Sequence, residues 1–469
     1  MLRKIAKNAL LLFAGTAAGQ VIVLLFSPVI TRLYSPADFG FFAVYAAFLY
    51  LFSSIASLRY EVAIPMVEDQ GEANTLIVGC EYIVFATFAV LLAIGRPLSL
   101  ISNATIFKTY WYMLPIGVLC FGLYNVSLYA SLRDGSHKVI AKTRLSQALG
   151  GVIIQTSLGA INFGPIGLAI GQVFGISAGL FTLQPPAKFY RRIREERFAV
   201  LKEVIFRHSA YAKYDSPAAI LNVANNQLPP VVIAFLFSPF AAGVYALVQR
   251  VMLTPLSILA ASISNSLMSS GRELLESGGE PIARIGSASM ALGPIFLLIS
   301  LLCPLTFGRI FGENWQGAGI LAAWISLISA PKFSFDSVSI LLSANGMQAL
   351  MLKMQTCMSI FRLACLYFGS VFLSLTDTIL LFSIVSALGY AVSASIVQVK
   401  VGRLPLKNSG LTFLDTLIPF VIVMAIYRWD LPYQATAAIV IMCSSIILLR
   451  VRPHLVWMVD GLRKRAHND

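Results

Sequence analysis

Charged residues are scarce in this chain of 469 residues. Only 12% of the residues are charged, 58% are hydrophobic, and the mean hydropathy is +0.79. This composition supplies too few charged side chains to cover the surface of a soluble globule of this length. The sequence therefore predicts an integral membrane protein.

Residues that commonly carry enzyme chemistry are also few. The four histidines lie in or beside segments predicted to be cytoplasmic, and the six cysteines lie within apolar stretches without the spacing of metal ligands. The sequence has no phosphate-binding glycine loop, no zinc-type spacing and no nucleophile–base pair. These absences argue against an enzyme, a metal site, a bound cofactor and an ATPase within the same chain.

Long apolar runs dominate the sequence instead. A helix needs roughly 20 mainly apolar residues to cross the hydrocarbon core of a bilayer. Fourteen such stretches alternate with short polar breaks, so an all-α protein with about fourteen transmembrane helices is expected. The predicted spans are 9–31, 38–58, 73–94, 110–131, 140–161, 164–184, 211–236, 241–268, 286–308, 317–342, 348–371, 376–399, 411–427 and 431–449.

The distribution of basic residues predicts the orientation. If the N-terminus is cytoplasmic, 27 of the 35 lysines and arginines fall in inner segments and only five fall in outer loops. Cytoplasmic loops of membrane proteins carry such an excess of basic residues. Both termini are therefore predicted to be cytoplasmic. The net charge of +14 then reflects topology and contacts with anionic membrane lipids, and nucleic-acid binding is not expected.

One short motif occurs twice. "TRLYSPADFG" at residues 31–40 returns more loosely as "AFLFSPFAAG" at 234–243, and a shift of 203 residues gives seven identities in the 22 positions from 27 to 48. A second echo pairs "SLRDGSHK" at 131–138 with "LSANGMQA" at 342–349. Both echoes fall at equivalent places if spans 1–6 and 7–12 are copies of one six-helix unit.

This repeat predicts the domain organisation. The N-lobe covers 1–184, the C-lobe covers 211–400, and a pseudo-twofold axis relates the two around a central cavity, which is a transporter plan. The charged segment 185–210, which contains "RRIREER", is expected to form a cytoplasmic amphipathic linker. Residues 401–469 add two further spans and a basic cytoplasmic tail.

Several segments resemble a known family. The runs "GTAAGQVIVLLFSPVITRLYSPADFGFFAVYAAF", "SLRYEVAIP", "QLPPVVIAFLFSPFAAGVYALVQRVMLTPLSILAASI" and "FGENWQGAG" are similar to the Wzx-type polysaccharide flippases. These O-antigen repeat-unit flippases belong to the multidrug/oligosaccharidyl-lipid/polysaccharide exporter superfamily. The resemblance covers about residues 9 to 400, and family members with twelve or fourteen helices are both common.

The resemblance implies a function. It points to translocation of an undecaprenyl-pyrophosphate-linked oligosaccharide from the cytoplasmic to the periplasmic leaflet of a bacterial inner membrane, for O-antigen, capsule or exopolysaccharide synthesis. A polysaccharide polymerase and a chain-length regulator are the further partners that such a pathway implies.

Three basic residues lie near the middle of predicted spans: Arg250, Lys332 and Arg362. A lysine or arginine at the bilayer centre costs about 3 kcal/mol, so these side chains are expected to face a wet or paired interior. Asp336, one turn after Lys332, forms either a structural bridge or part of a ligand site. Arg250 and Arg362 have no acidic residue three or four positions away, which favours an anionic ligand or a partner on another helix.

Two further groups are candidate substrate-binding residues. Arg59 and Glu61 lie at the cytoplasmic end of the second span, where they are either an interfacial anchor or an entry contact for the diphosphate. The seventh span carries polar residues on one face, as expected for the lining of a cavity that holds sugar hydroxyls. Its members are Asp215, Asn222 and Asn226.

Two alternative functions stay open. One is another exporter of the same fold, for drugs or a peptidoglycan precursor; ion-coupled drug export needs a buried carboxylate in the N-lobe, and Glu81 is the candidate. The other is a membrane glycan polymerase or ligase. Such an enzyme needs a large periplasmic loop with catalytic groups, whereas the longest outer loop, about 95–109, carries only Arg96 and Lys108.

Overall fold

The computed structural model describes most of the chain up to residue 401. The described residues are 2–101, 110–183, 198–261, 263–264, 293–345 and 347–401, with 421, 422, 442 and 445. Over these residues the protein is helical and contains no β-strand. They divide into two compact units, Met1–Gly243 and Val244–Asp469. The lobe boundaries predicted from the sequence repeat remain a prediction.

The first unit consists of long helices joined mostly by tight turns. A short 3-10 helix, Tyr60–Ala63, lies between the second and third helices, and a π-helical turn, Tyr211–Asp215, precedes the eighth. The α-helices are α1 (Leu2–Leu33), α2 (Pro36–Ser53), α3 (Gln70–Ile101), α4 (Met113–Arg133), α5 (His137–Ala160), α6 (Pro165–Leu183), α7 (Phe198–Arg207), α8 (Ser216–Leu236) and the start of α9 (Pro239–Met252).

The turn before α2 follows directly from its residues. The Ser35 hydroxyl accepts a hydrogen bond from the Asp38 backbone, while the Asp38 carboxylate accepts one from the Ser35 backbone at 2.9 Å. This capping box satisfies donors that the first helical turn leaves free, and Pro36 occupies a position where no backbone donor is needed. The Ser-Pro motif is therefore the start signal of α2.

The two copies of the motif meet inside the first unit. A Cβ atom added to Gly40 would overlap the carbonyl oxygen of Pro239, and one added to Gly243 would overlap the carbonyl oxygen of Pro36. The contact is reciprocal, because each glycine meets the proline of the other copy. Glycine is required at both positions since the backbones of α2 and α9 approach too closely for any side chain.

The second span is shorter than the apolar run predicts. Helix α2 ends at Ser53, and Leu58 and Arg59 adopt left-handed backbone conformations with φ of 50° and 64°. Non-glycine residues rarely adopt this conformation because the Cβ atom crowds the backbone. Ser57 and Glu61 therefore do not lie on one continuous helical face with Tyr50 and Ser53.

The described part of the predicted linker includes the short helix α7. Leu201 and Val204 are buried, while Phe206 is 80% exposed. The Arg207 guanidinium and the His208 ring lie 3.2 Å and 3.1 Å from the Glu72 carboxylate of α3. This helix is thus fixed to the first turns of α3 by both apolar and ionic contacts.

In the described part of the second unit, the rest of α9 is followed by helical residues 254–261 and by six further α-helices. Its 3-10 turn, Glu313–Trp315, contains a fully buried tryptophan. The α-helices are α10 (Gly293–Phe311), α11 (Ala318–Ser326), α12 (Ser329–Val338), α13 (Ile340–Ala344), α14 (Gln348–Phe372) and α15 (Leu375–Lys400).

The predicted tenth span is broken in its middle. Helices α11 and α12 meet at an angle of 44°, with the break at Leu327 and Ile328. Pro331 has no backbone N–H, so it cannot donate to the carbonyl of Leu327 four residues earlier. The missing hydrogen bond explains why the helix bends here. Lys332 and Asp336 lie on α12, immediately after the bend.

The protein is a multi-pass membrane protein. Nine helices among the described residues are long and apolar enough to cross a membrane, and the bent pair α11–α12 makes ten. This confirms the all-α membrane fold. Helix α3 also extends seven residues beyond the predicted span, into the predicted outer loop. Apart from residues 421, 422, 442 and 445, the predicted spans 411–427 and 431–449 lie outside the described residues, as do linker residues 185–197 and the basic tail.

Candidate functional site

The bend before α12 presents an ion pair. The Lys332 ammonium lies 2.6 Å from the Asp336 carboxylate, one turn further along the same helix. The two side chains are 19% and 26% exposed, although most other residues of α12 are buried. The predicted pairing is therefore present, and both side chains are partly exposed.

Helix α15 supplies an aromatic ring beneath each of two cations. The Lys332 ammonium lies 5.1 Å from the centre of the Tyr390 ring, and the Arg362 guanidinium lies 4.7 Å from the centre of the Phe382 ring. The negative face of an aromatic ring attracts a cation at these distances. Residues 382 and 390 are eight apart, about two helical turns, so the same face of α15 carries both rings.

Helix α9 also contacts Arg362, through Tyr245. The Tyr245 hydroxyl is within hydrogen-bonding reach of the guanidinium, and the Tyr245 ring packs edge-on against Phe382 with centroids 5.9 Å apart. Tyr245 is 1% exposed and Phe382 is fully buried. The Arg362 Nε is buried and has no hydrogen-bond partner in the described part of the chain. These contacts orient the guanidinium without neutralising it.

Lys332, Arg362 and Asp336 form what we call the cation cluster, together with the rings of Tyr245, Phe382 and Tyr390. Lys332 and Arg362 lie near enough to repel one another. Two cations face a single carboxylate, so the cluster has an excess positive charge. An anion with several oxygen acceptors, such as a phosphate or diphosphate, matches this arrangement. Arg250 lies on α9 beyond Tyr245 and is half-buried.

The second predicted group lies in the first unit, after α2. Glu61 is 2% exposed, accepts a hydrogen bond from the Ser57 hydroxyl and lies 3.5 Å from the Arg59 guanidinium. Burial raises the pKa of Glu61, and the Ser57 hydroxyl and the Arg59 cation only partly offset this effect. The Arg59 side chain is 29% exposed, so one side of the pair is accessible.

An arginine that the sequence did not single out holds this segment in place. The Arg133 guanidinium, at the end of α4, donates to the carbonyl oxygens of Ile64, Glu68 and Asp69 at 3.1, 3.0 and 3.2 Å, and also to that of Val67. A single cation therefore satisfies four carbonyl groups of the loop between α2 and α3. Arg133 belongs to the repeated motif "SLRDGSHK".

The third predicted group is more open. Asp215 ends the π-helical turn before α8 and is exposed, as are Asn222 and Asn226. The Asn226 amide donates to the carbonyl oxygen of Asn222 at 3.0 Å. These residues belong to the first unit, whereas the cation cluster belongs to the second unit.

The two rings on α15 were missed by sequence reasoning. Phe382 and Tyr390 carry no charge, and aromatic residues are frequent in this chain. The one available signal is the spacing of eight residues between Phe382 and Tyr390, which puts two aromatic rings on one face of a membrane helix. Among the described residues no group of three or more histidine, cysteine or acidic side chains is placed to hold a metal ion.

Known proteins share both sequence and fold with this chain. The family model described as "Polysaccharide biosynthesis protein" matches residues 29–318. No curated protein matches the chain.

Three solved structures superpose well. A lipid II flippase, MurJ, in an inward closed conformation has a TM-score of 0.68 at 15% identity and covers 97% of this chain and 100% of its own. A MATE transporter of Vibrio cholerae, VcmN, has a TM-score of 0.56 at 14% identity, with coverages of 86% and 98%. A MATE protein in complex with MaL6 has a TM-score of 0.54 at 13% identity, with coverages of 89% and 97%. At these identities the similarity establishes the fold alone.

Proposed function

Because the chain belongs to the family of polysaccharide biosynthesis proteins, we propose that it is a flippase for undecaprenyl-pyrophosphate-linked oligosaccharides. The substrate moves from the cytoplasmic to the periplasmic leaflet by alternating access, and it serves the synthesis of O-antigen, capsule or exopolysaccharide. The protein changes the location of the lipid and makes or breaks no covalent bond.

The cation cluster is the observation that supports this substrate most strongly. A lipid-linked oligosaccharide carries a diphosphate, whose oxygens need cationic donors when they leave water. Arg362 offers a planar fork of donors, and Lys332 adds a point charge. The polyprenyl tail can stay in lipid while the head group crosses, so the protein has only to compensate the charge and solvate the sugar.

The Arg59–Glu61 pair suits an entry contact at the cytoplasmic side. Its arginine is partly exposed and the left-handed backbone at residues 58 and 59 holds it beside a buried carboxylate. The polar face formed by Asp215, Asn222 and Asn226 is suited to sugar hydroxyls, which pair with amides and carboxylates. We assign the protein to a bacterial inner membrane with both termini cytoplasmic, where a polymerase and a chain-length regulator are its expected partners.

Reconstitution tests the proposal. Liposomes that contain the purified protein and a defined undecaprenyl-pyrophosphate-linked oligosaccharide are treated from outside with an impermeant glycosidase. The expected result is cleavage of the sugar from both leaflets, whereas protein-free liposomes protect the inner leaflet. If the inner-leaflet sugar stays protected for every lipid-linked oligosaccharide tried, the flippase function is wrong.

A cation-coupled exporter of the same fold is the second candidate. Glu61 and Glu81 are both 2% exposed in the first unit, and buried carboxylates in transporters often bind protons or cations. This candidate predicts that a proton or sodium gradient drives accumulation of a fluorescent organic cation in vesicles and that Glu81→Gln abolishes it. The same vesicles would then leave the lipid-linked oligosaccharide in place.

A further inference from the structure

Asp336 occupies the position where a ligand of Lys332 would sit. Its carboxylate lies 2.6 Å from the Lys332 ammonium, and because the two residues are one helical turn apart, the carboxylate stays within reach of the lysine. A tethered partner competes with a free ligand at a high effective concentration. A phosphate that binds Lys332 must therefore displace the Asp336 carboxylate. If it does not, it binds beside that carboxylate, and the two negative charges repel each other.

The ion pair does not connect two helices. Both of its side chains, which are 19% and 26% exposed, belong to α12, so the pair holds no second element in place. Lys332 also has a second attractive contact, with the Tyr390 ring at 5.1 Å. Removal of Asp336 therefore leaves the lysine oriented.

Asp336 changes the charge of the cluster substantially. With it, two cations face one carboxylate; without it, Lys332 and Arg362 are unopposed within the cluster. Arg362 already has a buried Nε without an acceptor in the described part of the chain. A diphosphate held by two unopposed cations would bind tightly and leave slowly, which is unfavourable for a site that must release what it binds.

We propose that Asp336 is a competitor for Lys332 within the cation cluster, and that it weakens the binding of phosphate- or diphosphate-bearing ligands so that they can be released. This inference rests on the proposed function for its physiological role. The competition itself requires only that the cluster binds a diphosphate.

Equilibrium binding of inorganic pyrophosphate tests the competition directly. The purified full-length protein in detergent, free of divalent cations, is titrated by calorimetry as wild type and as Asp336→Asn. The variant should bind about tenfold more tightly, because a neutral amide no longer repels the phosphate. The gain should shrink as salt is added, since the interaction is electrostatic.

Glu203→Gln is the matched control. Glu203 also pairs with a basic residue one turn away, Arg207 at 3.1 Å, but it is 71% exposed and lies in the other unit. This change removes the same single negative charge from the protein. It should leave pyrophosphate binding unchanged, which separates a local effect from a change in net charge.

A second arm uses the lipid-linked substrate. In proteoliposomes Asp336→Asn should lower both the apparent KM and the kcat of translocation, because tighter binding slows release. If Asp336 had a purely structural role, Asp336→Asn would lower the stability of the protein and would leave the apparent KM unchanged or higher. Asp336→Ser, which removes the carboxylate with a different side chain, should behave in the same way as Asp336→Asn.

The outcomes separate this inference from the proposed function. Equal or weaker pyrophosphate binding by Asp336→Asn, no binding by either protein, or failure of both variants to fold would each overturn the competitor role. Tighter binding without translocation of any lipid-linked oligosaccharide by the wild type would support the competitor role and remove the proposed function.

Discussion

Arg362 shows how a charged side chain can be kept inside an apolar unit without being neutralised. Its guanidinium rests on Phe382 at 4.7 Å and faces the Tyr245 hydroxyl, yet its Nε finds no acceptor among the described residues. A buried donor that lacks an acceptor costs free energy, which a bound anion would recover. The arginine is therefore suited to ligand binding more than to holding the unit together.

Loss of either intramembrane arginine should abolish transport. Arg362→Ala removes the fork that we propose as a ligand of the diphosphate, and Arg250→Ala removes the cation that the sequence predicts as a substrate ligand on α9. Arg362→Lys should retain part of the activity, because the charge remains without the bidentate geometry. The measurement is polysaccharide production in a strain that lacks its own flippase, with the membrane abundance of each variant determined in parallel.

Lys353→Ala is the control for these variants. Lys353 lies on the same helix as Arg362 but is exposed, so its loss should leave polysaccharide production unchanged. Normal production by both arginine variants at normal abundance would show that these side chains are structural.

Sequence reasoning identified the charged members of the cluster but not its aromatic members. Lys332 and Arg362 stand out because a charge in an apolar span is costly. Phe382 and Tyr390 do not stand out, because a ring in a membrane helix is equally suited to contact lipid. Their role depends on which helix packs against α15, and tertiary packing is not encoded in local patterns.

At the scale of elements, the loop between α2 and α3 depends on α4. Arg133 donates to four of its carbonyl groups, so the part of the loop that follows the 3-10 helix Tyr60–Ala63 is held from outside. Carbonyl groups near the membrane surface that lose such a donor must find water or rearrange.

Arg133→Ala should destabilise the protein by about 2–3 kcal/mol, as expected for lost hydrogen bonds to a charged group. The melting temperature of the purified protein in detergent is the measurement. Arg133→Lys should be intermediate, since an ammonium can satisfy fewer carbonyls. Lys138→Ala, at an exposed position nearby, should have no effect; an equal loss in that variant would show that the loop contacts are not responsible.

The reciprocal contact between the two motif copies predicts intolerance to a single methyl group. Gly40→Ala and Gly243→Ala should each destabilise the protein by about 1–3 kcal/mol, because the added carbon meets backbone atoms that cannot rotate away. Gly150→Ala is the control, since a Cβ there would lie 3.7 Å from Ala178, an ordinary contact. Thermal unfolding of the three variants measures the difference, and similar melting temperatures for all three would contradict the contact.

Helix breaks were harder to predict than helices. Hydropathy located the spans because burying backbone in lipid requires a helix. The same hydropathy continues through Leu327 and Ile328, where the chain bends, and through residues 54–57, where α2 has already ended. Pro331 was a visible signal for the first break. The second break has no proline or glycine. At that break the Thr87 hydroxyl of α3, which is 31 residues away in sequence, donates to the Ala56 carbonyl oxygen at 2.9 Å.

At the scale of the whole molecule, the distribution of basic residues predicts the orientation. A single cysteine at Asn314, in a chain without the six native cysteines, should react in intact cells with an impermeant thiol reagent. A single cysteine at Glu68 should react only after the cells are opened. Both positions are exposed in turns next to predicted spans. Labelling of the Glu68 position in intact cells would reverse the orientation.

The central claim is that the cation cluster recognises the diphosphate of a lipid-linked sugar. The most direct measurement compares translocation of one oligosaccharide carried on a polyprenyl diphosphate with the same oligosaccharide on a polyprenyl monophosphate, in proteoliposomes of wild type, Arg362→Gln and Lys353→Gln. We predict that wild type and Lys353→Gln transport the diphosphate faster, and that Arg362→Gln loses this preference. An unchanged preference in Arg362→Gln would contradict the account.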